Sequence, residues 1–250
     1  MSHPVLLHGF TGSSASWGGK IVDGLSGIGR VPVLIDLPGH GRWRGETRAE
    51  WFTLDQVLSA LARSTGWPAD LIGYSMGGRI ALHFAAAFPD KVSRLVLESA
   101  SPGLAKPGER SDRRIADEQL AIRLESEGIE SFLEYWEARP LFDSRARVAS
   151  EASSVQRQVR ARNDPRSLAA ALRGLGTGSL PSLWDRLPEI RAPVLLVVGE
   201  LDGKFVEVAE RMVSAMLDAR LVIVPGAGHT VHLERPDVWV TEVGSFLSGS

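Results

Sequence analysis

The stretch Gly73-Tyr74-Ser75-Met76-Gly77 constrains this chain more than any other. It sets a serine between two glycines, after the short apolar run Ala69-Asp70-Leu71-Ile72 and before the helical pattern Arg79-Ile80-Ala81-Leu82-His83-Phe84-Ala85. A serine in such a turn is held in strained backbone geometry, with its hydroxyl projecting above the end of a strand. Glycines two residues to either side let strand and helix pass without a Cβ clash. The turn demands a buried strand feeding straight into a packed helix, and the rest of the chain has to supply the sheet around it.

Short runs rich in Val, Leu and Ile do recur, at Val5–Leu7, Val31–Ile35, Leu71–Ile72, Leu95–Leu97, Val194–Val198 and Leu221–Val224. Continuous rather than alternating apolarity marks strands buried on both faces, hence an α/β fold with a mostly parallel sheet flanked by helices. Thr53-Leu54-Asp55-Gln56 reads as the capping-box start of a helix running to about Thr65. Pro236 suits the first turn of a final helix carrying Val238, Val243, Phe246 and Leu247. The rhythm breaks between Leu104 and Asp185, where Ile115–Leu124, Ile129–Trp136, Val155–Arg162 and Leu168–Leu175 have helical patterning and no buried-strand run appears. Residues 104–185 therefore read as a helical insertion into a core made of 1–103 and 186–250. An insertion at that point lies over the C-terminal edge of the sheet, where open α/β folds bind ligands, so it is expected to act as a cap.

A serine hydroxyl is a poor nucleophile or base until an imidazole takes its proton and a carboxylate orients that imidazole. The run Val194–Val198 ends in Gly199-Glu200-Leu201-Asp202, and Leu221–Val224 leads to Pro225-Gly226-Ala227-Gly228-His229. Ser75, Asp202 and His229 are thus the expected triad, with Glu200, closer to its strand, as the competing acid. An oxyanion facing the serine needs two donors. The N–H of Met76, at the start of the following helix, is one, because the helix dipole there favours negative charge. Phe10, in His8-Gly9-Phe10-Thr11-Gly12 after the first strand, offers the other. His40, in Asp36-Leu37-Pro38-Gly39-His40-Gly41, serves either turn structure or substrate. His83 reads as a core or flanking residue, and His3 carries no signal.

Composition closes other routes. At 250 residues, 44% hydrophobic and 23% charged, the chain matches an ordinary globular protein. It has no cysteine, which excludes a thiol nucleophile, a disulfide or a thiolate metal site. A net charge of -2 gives no pull toward nucleic acid or an anionic membrane. No window approaches the roughly 20 apolar residues of a membrane span, and the apolar run at Pro4-Val5-Leu6-Leu7 is too short for a signal peptide. A cytoplasmic location is expected. His229 and His232 lie three apart, but no carboxylates of ligand spacing surround them, so neither a metal nor another cofactor is expected. Only four of the 28 basic residues are lysines. A GC-rich genome produces that bias, and so does a site whose guanidinium forks grip carboxylates.

Taken in order, His8-Gly9-Phe10, Asp36 to Gly41, the serine turn, Gly199 to Asp202 and Gly226 to His229 make the chain resemble the α/β-hydrolase superfamily from end to end. Within it, Gly77-Gly78-Arg79, Glu98 to Leu104, Arg113-Arg114, Asp117-Glu118, Trp136 to Phe142 and Leu172 to Gly178 resemble the 2-succinyl-6-hydroxy-2,4-cyclohexadiene-1-carboxylate synthases of menaquinone biosynthesis. The resemblance implies a cofactor-independent lyase acting on a small tricarboxylate, 2-succinyl-5-enolpyruvyl-6-hydroxy-3-cyclohexene-1-carboxylate, and releasing pyruvate. It implies Arg79, Arg113 and Arg162 as substrate-binding cations, and Tyr74, Trp136 and Phe142 as pocket wall. Arg110 and Arg114 compete with Arg113, Arg160 and Arg166 with Arg162, and Trp136 suits the interior of the cap as well as the pocket. A serine carboxylesterase or C–C bond hydrolase using the same triad is the alternative. One departure stands out: the first strand begins by residue 4, so the two leading antiparallel strands common in the superfamily are missing or nearly so.

Overall fold

Each apolar run becomes a strand of one sheet. In a computed structural model, which describes residues 3–64, 66–148 and 150–249, β1 (Val5–Leu7) is followed by α1 (Gly18–Gly27), β2 (Val33–Ile35), α2 (Leu54–Ser64), β3 (Ala69–Tyr74), α3 (Met76–Ala87) and β4 (Val92–Glu98). The strand order is β2-β1-β3-β4-β5-β6, with β5 (Val194–Gly199) and β6 (Ala219–Val224) completing one side, and every pairing is parallel. Among the described residues the sheet has no antiparallel strand, and β2 is one of its edges. β2 begins two residues later than its apolar run, because Pro32 lacks an N–H for the ladder and Val31 stays 54% exposed.

The sheet is buried on both faces, as continuous apolar runs require. Val5, Leu7, Leu71, Leu95, Leu97, Val194 and Leu196 point to one side, against α2, α3 and the helix over Gly203–Ala215. Leu6, Ile72, Val96, Leu195 and Val197 alternate with them and meet Trp17, Ile21 and Leu25 at α1, with Trp239 and Val243 of the final helix. The Thr53 hydroxyl accepts the Gln56 N–H at 3.4 Å, starting α2 as the capping motif implied. Its described part ends at Ser64; Thr65 lies outside the described residues.

Between β4 and β5 the chain is helical. α4 (Pro107–Glu137) bends at Gly128, whose φ of 79° lies outside helical geometry, and α5 (Ser150–Ala161) and α6 (Pro165–Leu175) follow. This unit has a small core of its own, built on Leu120, Leu124, Phe132, Trp136, Phe142, Leu168 and Leu172, with Phe10 from the β1 loop packed against it. The chain then returns through β5, α7 (Gly203–Ala215), β6, α8 (Val231–Glu234) and α9 (Pro236–Ser248). No described helix is long and apolar enough to cross a membrane.

The sheet order reverses between β1 and β3: the chain runs outward from β1 to β2, then crosses to the other side of β1. Loops at the C-terminal ends of those two strands diverge, and the crevice between them is where such sheets take ligands. The tight crossing of α3 over β1 makes that crevice. A Cβ on Gly77 would lie within 2.5 Å of the His8 carbonyl oxygen and closer still to that of Leu7. Both obstacles are backbone and cannot swing aside. Gly77→Ala should therefore lower the unfolding free energy by about 3 kcal/mol or more, measured by urea denaturation.

Candidate active site

Ser75 joins β3 to α3 with φ 50° and ψ −106°, a conformation that a non-glycine residue adopts only when its surroundings enforce it. Its N–H is held by the Glu98 carbonyl of the neighbouring strand at 2.8 Å. The strained turn lifts the hydroxyl over the sheet edge, where Ser75 Oγ lies 3.1 Å from His229 Nε2. On the other side of the ring, His229 Nδ1 meets Asp202 Oδ2 at 2.5 Å, and both residues are buried. The parallel sheet accounts for this meeting: β3, β5 and β6 all end at the same edge. Glu200 is turned away and accepts the Gly226 N–H at 2.9 Å. With Nδ1 donating to the carboxylate, Nε2 is left to take a proton from the hydroxyl.

The donors for an oxyanion lie on either side of this serine. Met76 opens α3, so its N–H is one of the first four in a helix and has no intrahelical partner. Phe10 lines the pocket from the loop after β1. The direction of its N–H follows from the peptide plane it shares with Gly9, since N–H and C=O of a trans peptide point opposite ways. The Gly9 carbonyl accepts both His8 Nδ1 at 2.8 Å and the Gly12 N–H at 3.0 Å. His8 can donate there because its Nε2 accepts the Leu37 N–H at 3.0 Å, which fixes the tautomer. His40 repeats the scheme, with Nδ1 against the Pro38 carbonyl at 2.9 Å and Nε2 accepting the Thr11 N–H at 3.3 Å. Both rings must be neutral to accept these bonds, and burial keeps them so: His8 is pushed down to about 4. Burial, helped by the neighbouring His8, pushes His40 down to about 3. His40 is fully buried and braces the loops rather than facing the pocket.

Above the serine lies a cavity of about 990 Å³. Tyr74, Trp136 and Phe142 line it, and Trp136 belongs to the helical unit's core as well, stacked on Phe132 at 5.7 Å. The Phe142 ring stands 6.0 Å from that of His229, and the Tyr74 hydroxyl bonds Thr230 Oγ1 at 3.0 Å. Five arginines line the same space: Arg79, Arg113, Arg139, Arg160 and Arg211. Arg79, one turn beyond the serine, is partly buried and its Nε has no hydrogen-bond partner among the described residues. Burial, then the nearby Arg113 charge, brings its pKa down to about 10, with Asp117 opposing. Arg113 donates from Nε to Asp117 Oδ1 at 2.7 Å.

Of the expected cations Arg79 and Arg113 line the cavity, and Arg160 does so where Arg162 was expected. Arg162 is exposed and takes no part in the cavity lining, whereas Arg160 is 8% exposed and lines it. Two residues turn a helix by roughly 200°, so Arg162, in the turn just past the end of α5, leaves on a different side from Arg160. Gln156, four residues before Arg160, shares its face, and a helical wheel over Val155–Arg162 carries that signal. Arg160 Nη1 donates to Glu137 Oε1 at 2.7 Å, and Arg157 reaches Oε2 at 2.9 Å. Burial would raise the Glu137 pKa, but the two guanidiniums outweigh it and hold the carboxyl below its usual range. Sequence reasoning also passed over Glu98, whose buried carboxylate takes His232 Nδ1 and Trp239 Nε1, each at 2.8 Å, beneath the serine turn. Among the described residues no group of three or more His, Asp or Glu gathers as a metal ion would need. Chemically, the arrangement offers a primed hydroxyl, two backbone donors and a cluster of cations suited to a polyanion.

The alpha/beta hydrolase family model matches residues 5–243. A Bacillus subtilis (strain 168) protein, named provisionally as a 2-succinyl-6-hydroxy-2,4-cyclohexadiene-1-carboxylate synthase, is 42% identical over 98% of this chain and 89% of its own length. The synthase of that name from Pectobacterium atrosepticum is 32% identical over 98% of this chain and 93% of its own. The solved structure of MenH from S. aureus superposes with a TM-score of 0.91 at 35% identity, covering 99% of this chain and 94% of that one.

Two predictions follow from the charges at the site. In the unfolded chain His8 and His40 titrate near 6.5, so below that pH the unfolded state binds protons that the folded state refuses. Stability should be level above about 6.5 and fall as pH drops toward 4, by on the order of 3 kcal/mol per histidine, read from urea midpoints across that range. Arg79 is a partly desolvated cation held ready for an anion. Arg79→Met should raise the unfolding free energy of the ligand-free protein by on the order of 1 kcal/mol while raising KM about tenfold or more.

Proposed function

This chain belongs to the α/β-hydrolase family, and from that premise we infer that it eliminates pyruvate from 2-succinyl-5-enolpyruvyl-6-hydroxy-3-cyclohexene-1-carboxylate. The product is 2-succinyl-6-hydroxy-2,4-cyclohexadiene-1-carboxylate, an intermediate of menaquinone biosynthesis, and the enzyme is a carbon–oxygen lyase. In our reading His229, oriented by Asp202, takes the Ser75 proton, and the serine oxygen removes a proton α to the succinyl ketone. The electron pair moves onto the ketone oxygen as an enolate, held by the N–H groups of Phe10 and Met76. Such donors serve an enolate as they would a tetrahedral alkoxide, because each puts negative charge on one oxygen. Collapse of the enolate breaks the ring C–O bond and forms the second ring double bond. Pyruvate leaves as its enolate and takes up a proton.

The observation that carries this reading is the placement of Arg79, Arg113 and Arg160 around the cavity that holds the Ser75 hydroxyl. A substrate with three carboxylates needs several cations, and an ester of a neutral alcohol has no use for them. Burial in a pocket walled by Trp136, Phe142 and Tyr74 strengthens each of those contacts. The division into a core, 1–103 and 186–250, and a cap, 104–185, is part of the proposal. It is supported by the separate apolar cluster of the helical unit and by the arginines that α4 and α5 bring to the cavity. Cytoplasmic location belongs to the same reading, since a tricarboxylate does not cross a bilayer unaided and is consumed where it is made.

The test compares pyruvate release from the enolpyruvyl substrate with hydrolysis of p-nitrophenyl esters. Pyruvate release should dominate, and Ser75→Ala should lower its kcat by about a thousandfold or more with the fold intact by circular dichroism. Dominant ester turnover with no pyruvate would assign the site to a serine hydrolase instead.

A further inference from the structure

Thr11 is the residue after Phe10, and its backbone is left-handed, with φ 65°. A β-branched residue adopts that conformation only where its neighbours over-determine it. Both of its peptide groups are held from outside the loop. Its N–H goes to His40 Nε2 at 3.3 Å, and its carbonyl accepts Asn163 Nδ2 at 2.7 Å. Asn163 lies just past the end of α5, is 4% exposed, and uses its amide fully in one direction. Oδ1 accepts the Gly41 N–H at 3.0 Å, from the loop after β2, while Nδ2 also donates to the Arg160 carbonyl at 3.2 Å. Only this orientation of the amide satisfies all three backbone partners. One side chain thus joins the loop bearing Phe10, the loop bearing His40, and the helix end bearing Arg160.

We propose that Asn163 is a positioning residue for the reaction, holding the Phe10 N–H on the enolate oxygen. The proposal rests on Phe10 acting as an oxyanion donor. Asn163 touches no substrate itself; it works through Thr11. Releasing the Thr11 carbonyl frees the Thr11–Gly12 peptide of a strained turn to rotate, and its Gly12 N–H, which holds the Gly9 carbonyl at 3.0 Å, no longer fixes the plane that carries the Phe10 N–H. A donor pre-aimed at the developing charge then has to be re-aimed during each turnover, and the loss falls on the transition state rather than on substrate binding.

Two variants test this. Asn163→Asp keeps the shape and the acceptor for Gly41 but loses the donor to Thr11, and Asn163→Leu loses every bond without adding charge. In each, kcat for pyruvate release should fall about 10- to 100-fold while KM changes less than about threefold. A second readout separates positioning from general support. A phenylboronic acid forms a tetrahedral adduct on the serine and needs the oxyanion donors, whereas succinate needs only the cations. Boronate inhibition should weaken about tenfold or more with succinate affinity unchanged. Wild-type kcat and boronate affinity beside a lowered Tm, or parallel weakening of boronate and succinate, would overturn the proposal. Should the Leu variant not fold, the Asp variant decides alone. Ser75→Ala tells this failure from that of the proposed function. Undiminished boronate binding there would remove the catalytic reading and this inference with it. Loss of binding there, with none in the Asn163 variants, removes the inference only.

Discussion

The close crossing of α3 over the ends of β1 and β3 is the constraint on which the rest depends. Gly73 and Gly77 bring the helix backbone against the strand backbones with no room for a Cβ between them. That approach forces Ser75 into a backbone conformation that costs free energy, and it sets the N-terminus of α3 beside the loop leaving β1. Had the helix been an ångström or two farther out, the Ser75 hydroxyl and the start of α3 would draw away from the loop after β1. The sheet's burial on both faces supplies the stability that offsets the strained turn.

Charge is distributed on a plan that follows from burial. The floor of the site is built from polar groups kept neutral: His8 and His40 act as hydrogen-bonding spacers, because desolvation denies them a proton. Positive charge enters from the helix beyond the serine through Arg79, from the helical unit above it through Arg113, Arg139 and Arg160, and from α7 through Lys204 and Arg211. Arg113 and Arg160 have carboxylate partners in Asp117 and Glu137, so their guanidinium forks stay oriented without a ligand. Arg79 lacks such a partner at Nε, and its lowered pKa records the electrostatic cost of that arrangement. An entering polyanion relieves it.

How far this was legible in the sequence depended on how local each signal was. Buried parallel strands announce themselves as continuous apolar runs, and a parallel sheet delivers all their C-terminal ends to one edge. That is why Ser75, Asp202 and His229 could be paired across more than 150 residues of chain. Arg162 illustrates the next level, where the right helix was read with the wrong phase: a two-residue error turns a side chain from the cavity to solvent. The start of β2 failed for a simpler reason, the missing N–H of Pro32. Asn163 carried no legible signal, because its partners are backbone groups of Thr11 and Gly41, which any sequence possesses. The neutrality of His8 and His40 was equally hidden, since it comes from the depth at which folding places them.

Phe10 has its backbone on the floor of the cleft and its ring in the roof. The ring stands edge-on to Trp136 at 5.3 Å and to Phe132 at 6.3 Å, within the apolar cluster of the helical unit. It works as a rivet between the two layers: lifting the roof would drag an aromatic ring into water and pull on the loop after β1. Traffic through the site is therefore cheapest with the rivet seated, so that entry and departure leave that loop undisturbed from one turnover to the next.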